Sequence, residues 1–99
     1  MAKTQTSPEE ARAAAEALAL HALTFLAEEA ERLSRFLALS GIGPADLRAR
    51  VGEPEFLGGV LDHLLSDERL LMAFSKEYEV APTAAAQARS LLPGAPTPD

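Results

Sequence analysis

The chain has 99 residues, of which 47% are hydrophobic, and it contains no cysteine. This length fits a single domain, and the composition excludes a disulfide framework, thiol catalysis, a cysteine-ligated zinc site and a largely disordered chain. The formal net charge of −6 disfavours nucleic-acid binding, and without a signal peptide or an apolar run of about 18 residues we expect a cytoplasmic protein that does not enter a membrane.

The first predicted helix begins at Pro8. Ser7 is a suitable N-cap, Pro8 takes the first helical position, and Glu10 completes a capping box. Apolar residues then recur at spacings of three and four far along the chain. One helix over residues 8–40 would be about 50 Å long, which is too long for a compact domain of this size. We therefore expect a break near residues 28–31.

The next boundary is the turn Gly-Ile-Gly-Pro at residues 41–44. Its first glycine suits the left-handed conformation that ends many helices, and we expect the following isoleucine to fold back onto Leu37. The second glycine is placed to cap a short helix that Pro44 opens and Gly52 ends. This turn is therefore the sharpest predicted corner of the fold.

Three further helices complete the chain. The first starts at residues 53–55 and has a broad apolar face, and the second follows a cap at residues 66–68. The last is rich in alanine and follows Ala81-Pro82-Thr83, and we expect it to run to Leu92. Apolar and polar residues do not alternate with a period of two in any segment of useful length, so strands are not expected.

These elements predict an all-α fold, a compact orthogonal bundle of five to six short helices. We expect one helical domain over residues 7–92. A disordered tail is expected on each side of it, over residues 1–6 and over the proline-rich residues 93–99. The nine lysines and arginines are spread along the chain, mostly close to acidic residues, which is typical of a solvated surface of mixed charge.

The glycine turn also suggests a site, because helix-hairpin-helix DNA-binding proteins use a similar turn to hold phosphates. A contact surface there would consist of Gly41, Ile42, Gly43, Arg48 and Arg50. Pro44 removes a backbone donor, however, and Asp46 stands where a cation would help. We interpret the turn as a structural corner, and weak nucleic-acid binding through it is an alternative hypothesis.

The two histidines, His21 and His63, are too few for a metal site, which needs three or four converging ligands. The sequence leaves open whether they meet in space, and binding of a small ligand or metal near His63 is a second alternative hypothesis. The serines lie at caps or helix ends, and the chain has no Walker or dinucleotide-binding loop. We therefore expect no enzymatic activity and no cofactor.

The oddest local feature is the pair Gly58 and Gly59 inside a predicted helix, because each glycine costs roughly 1 kcal/mol relative to alanine there. Small residues commonly let another helix cross closely. We therefore expect close packing at this point, and a small pocket or partner groove beside Phe56 and Val60 is the alternative.

The chain resembles a family of small alphaproteobacterial proteins known only as a domain of unknown function. Three segments carry the resemblance: ALALHALTFLAEE (residues 17–29), the long block that runs from ERLSRF to LLMAF (residues 31–74) and ARSLLPG (residues 88–94). The resemblance covers residues 14–94 and is most specific over residues 36–65. It implies a small, all-helical, cytoplasmic protein of a bacterium, with no established activity or ligand.

The prediction of function rests on two observations, an excess of large apolar residues and the lack of recognised catalytic groups. Leucine and phenylalanine are more numerous than six short helices need for a core, and catalytic groups are not recognised. The leading hypothesis is therefore a protein-protein interaction module that uses an apolar helix surface. Its expected partner is an unidentified protein or a second copy of the chain.

Overall fold

The structure, a computed structural model, describes residues 7–94. This part of the chain forms six α-helices and no β-strand, and the helices are α1 (Pro8–Ala27), α2 (Ala30–Ser40), α3 (Leu47–Arg50), α4 (Pro54–Leu65), α5 (Glu68–Tyr78) and α6 (Pro82–Arg89). The predicted all-α bundle is confirmed. None of the helices within this range is long and apolar enough to cross a membrane. The predicted tail at residues 1–6 lies outside the described residues, as do residues 95–99 of the predicted tail at 93–99.

The two boundaries of α1 are set by local interactions. At its start, the Glu10 backbone N–H donates to Ser7 Oγ at 3.1 Å, and the Ser7 N–H donates to Glu10 Oε1 at 3.2 Å. At its end, Glu29 is extended, with φ −128° and ψ 125°. The Arg32 guanidinium lies 4.1 Å from the centre of the Phe25 ring. Both the capping box and the break near residues 28–31 are confirmed, although no glycine or proline marks the break.

The glycine turn after α2 has the predicted geometry. Gly41 has φ +75°, and its N–H donates to the Leu37 carbonyl at 2.9 Å, as the N–H of Ile42 does at 3.2 Å. Gly43 is extended and precedes a single 3-10 turn, Pro44–Asp46, which leads into α3. The left-handed conformation at position 41 favours glycine, because glycine has no Cβ that would clash with the backbone.

The core lies where α1, α4 and α6 pack against one another, with α2 closing on α1 and α4 and with α5 closing on α4 and α6. The largest fully buried side chains are Phe25, Phe74, Leu26, Leu61, Leu64 and Val60. The rings of Phe25 and Phe74 meet edge to face, with their centres 5.5 Å apart. Aromatic pairs of this geometry contribute about 0.5–1.5 kcal/mol beyond the burial of their surface.

The last helix ends at Arg89, so the prediction that it runs to Leu92 is wrong. The Leu91 N–H donates to the Ala88 carbonyl at 3.0 Å, and the Leu92 N–H donates to the Arg89 carbonyl at 3.2 Å. These bonds span three residues instead of four, so the chain tightens into a turn. The turn places Leu92 in the core and leaves Leu91 exposed.

Candidate functional site

Arg89 is buried, with 7% of its surface exposed, although the sequence predicted that the cations lie on a solvated surface. Its Nε and Nη2 donate to the two carboxylate oxygens of Asp62 on α4, at 2.6 and 3.1 Å. Its Nη1 donates to the carbonyls of Leu92 and Pro93, at 3.2 and 3.1 Å. The guanidinium therefore joins α4 to the turn that follows α6 and to the carbonyl of Pro93.

The two consecutive glycines of α4 have different surroundings. A Cβ added at Gly58 would lie 2.8 Å from Arg89 Nη1 and 3.1 Å from the Pro93 carbonyl oxygen. Close packing at Gly58 is therefore confirmed, but the group that approaches is an arginine side chain rather than a helix backbone. A Cβ added at Gly59 meets no other atom of the described residues within 4 Å. Gly59 instead borders an open pocket.

That pocket, the Phe36 pocket, lies between α2 and α4 and has a volume of about 340 Å³. Its lining consists of Phe36, Leu39, Ser40, Gly59, Asp62, His63 and Ser66. The pocket alternative for the glycine pair is therefore found at Gly59, but beside Phe36 instead of beside Phe56 and Val60. Phe36 is buried, whereas Leu39 at the rim is 72% exposed and is the most exposed large apolar side chain of the described residues.

The wall of the Phe36 pocket includes an aromatic contact between Phe36 and His63, and the pKa of His63 is lowered there. The rings of Phe36 and His63 meet edge to face with their centres 5.2 Å apart. Burial lowers the pKa of His63 below its ordinary value of 6.5; the Asp67 carboxylate opposes this change and the Arg35 guanidinium adds to it. The lowered pKa favours the neutral imidazole, which suits an apolar wall.

A second surface depression, the alanine groove, runs between α1 and α6 and has a volume of about 390 Å³. Its lining consists of Ala11, Ala14, Ala15, Leu18, Ala84, Gln87, Ala88 and Leu91. The lining residues of α1 and of α6 recur at spacings of three and four, which places them along one face of their helix, and Leu91 comes from the turn after α6. Five of the eight are alanines, whose side chains are short, so the space between the two helices stays open.

The predicted contact turn offers little free positive charge. Gly41 and Arg48 are exposed, and Ile42 packs partly against the core. Arg50 donates from Nε to Glu53 Oε1 at 2.7 Å. The helix behind the turn, α3, has only four residues. Nucleic-acid binding through this turn stays a prediction.

The two histidines have different aromatic partners. The ring of His21 is exposed and stacks on Tyr78 of α5 with a centre-to-centre distance of 5.9 Å, while His63 contacts Phe36 of α2. The Tyr78 hydroxyl donates to Glu28 Oε2 at 2.9 Å. Among residues 7–94, histidine and carboxylate side chains do not form a group of three or more that could hold a metal ion. Binding of a ligand near His63 stays a prediction.

The alanine groove was not predicted from the sequence, and neither was the buried role of Arg89. A signal for Arg89 was present, because Ala85, Ala88 and Leu92 lie four and one residues before it and three after it. Those spacings put the arginine on the apolar face of the last helix. The alanine groove had no such signal, because it forms only where α1 and α6, which are distant in sequence, meet.

Comparison with known proteins identifies a family. Residues 12–95 match the family described as protein of unknown function (DUF3572). No curated protein and no solved structure matches the chain. The predicted resemblance to a domain of unknown function is confirmed, whereas alphaproteobacterial origin, cytoplasmic location and the lack of enzymatic activity stay predictions.

Proposed function

This chain belongs to the DUF3572 family, and we propose that it is a protein-protein interaction module whose alanine groove binds an amphipathic helix of another protein. The observation that carries the proposal is the groove itself, about 390 Å³ of mostly apolar space between α1 and α6. Helices commonly bind in such grooves through apolar residues at spacings of three and four. The module would act by binding, without chemistry of its own.

The shape of the groove favours a helix with large apolar residues. Ala14 and Ala84 form low walls, whereas Leu18 and Leu91 are the large apolar groups that border them. Leucines of a partner helix would fit above the alanines and remove Leu91, which is 44% exposed, from water. Burying one leucine side chain contributes about 1.5–3 kcal/mol, so a few such contacts support a micromolar complex.

Charge favours a basic partner. The chain carries a formal net charge of −6, and residues 8–18 of α1, on one side of the groove, include three glutamates against one arginine, Arg12. A helix with lysines or arginines beside its apolar stripe would meet complementary charge. We therefore expect the complex to form faster and to be tighter at low ionic strength.

The test uses a defined probe, a synthetic amphipathic helix with leucines at spacings of three and four and lysines elsewhere. We expect micromolar binding by calorimetry. Ala14→Glu puts a carboxylate into the groove and should weaken binding about tenfold or more, because the charge loses water when the leucines cover it. Ala17→Glu is the matched control, since Ala17 is also exposed on α1 but does not line the groove.

A photo-crosslinking residue at position 14 and, separately, at position 17 extends the test to the native partner. The proposal predicts an adduct at position 14 that is lost or much weaker at position 17, and a crosslinked segment that is amphipathic with basic flanks. Equal effects of Ala14→Glu and Ala17→Glu on the probe, or no binding of the probe at millimolar concentration, would contradict it.

A further inference from the structure

We propose that the chain also pairs with a second copy of itself through the Phe36 pocket, with Leu39 of each copy inserted into the pocket of the other. This interface lies between α2 and α4, so it does not depend on the alanine groove or on the function proposed for it. The pairing rests on one juxtaposition, an exposed leucine at the rim of an apolar pocket.

The shape of this face is complementary to itself. Leu39 is 72% exposed, and the pocket beside it is about 340 Å³, with buried Phe36 in its lining. A cavity of roughly 150 Å³ holds a group the size of benzene, so the pocket has room for a leucine side chain. A projecting group and its receptor on one face form two equal contacts when a twofold axis relates two copies. A partner other than a second copy would need both an apolar group that fits the pocket and a pocket that receives Leu39.

The charges around the pocket allow the same symmetry. Asp62 of α4 lines the pocket, but both of its carboxylate oxygens already accept from Arg89. The carboxylate is therefore compensated, so the entry of Leu39 from a second copy leaves no unpaired charge in the pocket. The net charge of −6 on each copy opposes association over longer distances, so added salt should strengthen the pairing.

The test is sedimentation equilibrium of the full chain with three variants. Leu39→Ala removes the projecting group, and Gly59→Leu fills the pocket at a site where a Cβ meets no other described atom within 4 Å. Met72→Ala is the control, because Met72 is 50% exposed on α5 and does not line the pocket. Each variant's melting temperature is measured in parallel, so that a loss of pairing is separated from a loss of fold.

We expect the wild type and Met72→Ala to form dimers with the same dissociation constant. Leu39→Ala and Gly59→Leu should each weaken the dimer about a hundredfold, because symmetry removes two contacts for every substitution and each is worth roughly tenfold. Both should keep the wild-type affinity for the basic probe helix. A wild type that is monomeric at millimolar concentration, or a dimer that survives both substitutions, would overturn the proposal.

Discussion

Arg89 and Asp62 form a two-pronged ion pair between α6 and α4 in which the two partners differ in exposure. The arginine side chain is 9% exposed and the aspartate side chain is 55% exposed. The guanidinium is thus deprived of water on most sides, whereas the carboxylate keeps part of its hydration. Loss of the aspartate therefore leaves a buried charge short of a partner, which is the costlier half of such a pair to leave alone.

Asp62→Asn should lower the free energy of unfolding by about 1–2 kcal/mol, measured by urea denaturation. A broken buried pair costs about 3–5 kcal/mol, and the solvent around Asp62 reduces that figure. The control is Glu53→Gln, which removes a pair with Arg50 whose two side chains are 44% and 49% exposed. Exposed pairs contribute about 0–1 kcal/mol. Equal losses of free energy of unfolding in the two variants would show that burial of Arg89 does not strengthen its ion pair.

The two glycines of α4 should respond to alanine in opposite directions. Gly59→Ala is expected to raise the free energy of unfolding by about 0.5–1 kcal/mol, because alanine favours the helix and the added methyl meets open space. Gly58→Ala is expected to lower it by about 1 kcal/mol or more, since the methyl would lie against Arg89 and the backbone of Pro93. Urea denaturation measures both variants, and stabilisation of both would contradict this prediction.

Ser75 on α5 is buried, and its hydroxyl has no hydrogen-bond partner among the described residues. A buried hydroxyl without a partner costs about 1–3 kcal/mol, so Ser75→Ala should raise the free energy of unfolding by about 1 kcal/mol. Ser34→Ala, at an exposed position of α2, measures the gain in helix propensity alone. A gain at Ser75 no larger than that at Ser34 would contradict the unpaired hydroxyl.

His63 should make the fold sensitive to mild acid. Its pKa is lowered below 6.5 in the folded protein, chiefly by burial, so the unfolded chain takes up the proton first. The stabilisation is complete above pH 6.5 and is lost as the pH falls below this value towards the lowered pKa. His63→Gln should therefore flatten the dependence of the free energy of unfolding on pH below about pH 6.5. Parallel curves for the two proteins would refute the assignment.

Tyr78 is the only tyrosine of the chain, so tyrosinate absorbance reports on it alone. Burial raises its pKa above the ordinary value of 10.0, and the hydrogen bond to the Glu28 carboxylate raises it further. Glu28→Gln should lower the pKa of Tyr78 part of the way towards 10.0, because burial remains. An unchanged titration in this variant would show that the bond is not formed in solution.

The sequence was most informative where a boundary depends on neighbouring residues. The capping box at Ser7 and the left-handed Gly41 each satisfy backbone groups within four or five positions, so their residue types predict their geometry. The end of α6 was missed because leucines continue the apolar pattern past Arg89, while the carbonyls of the turn accept from an arginine that is paired with a carboxylate on α4. The Phe36 pocket depends on α2 meeting α4, a contact that no local pattern specifies.

Contact between α1 and α6 has a consequence for how the protein is made. Ala15 and Ala19 of the first helix belong to the same apolar core as Ala88 and Leu92 at the far end of the chain. A ribosome releases the chain from its beginning, so the part of the apolar face of α1 that packs against α6 stays uncovered until α6 has emerged. The domain therefore cannot complete its fold before that point, and a chaperone that shields α1 until then would act on the residues that α6 later covers.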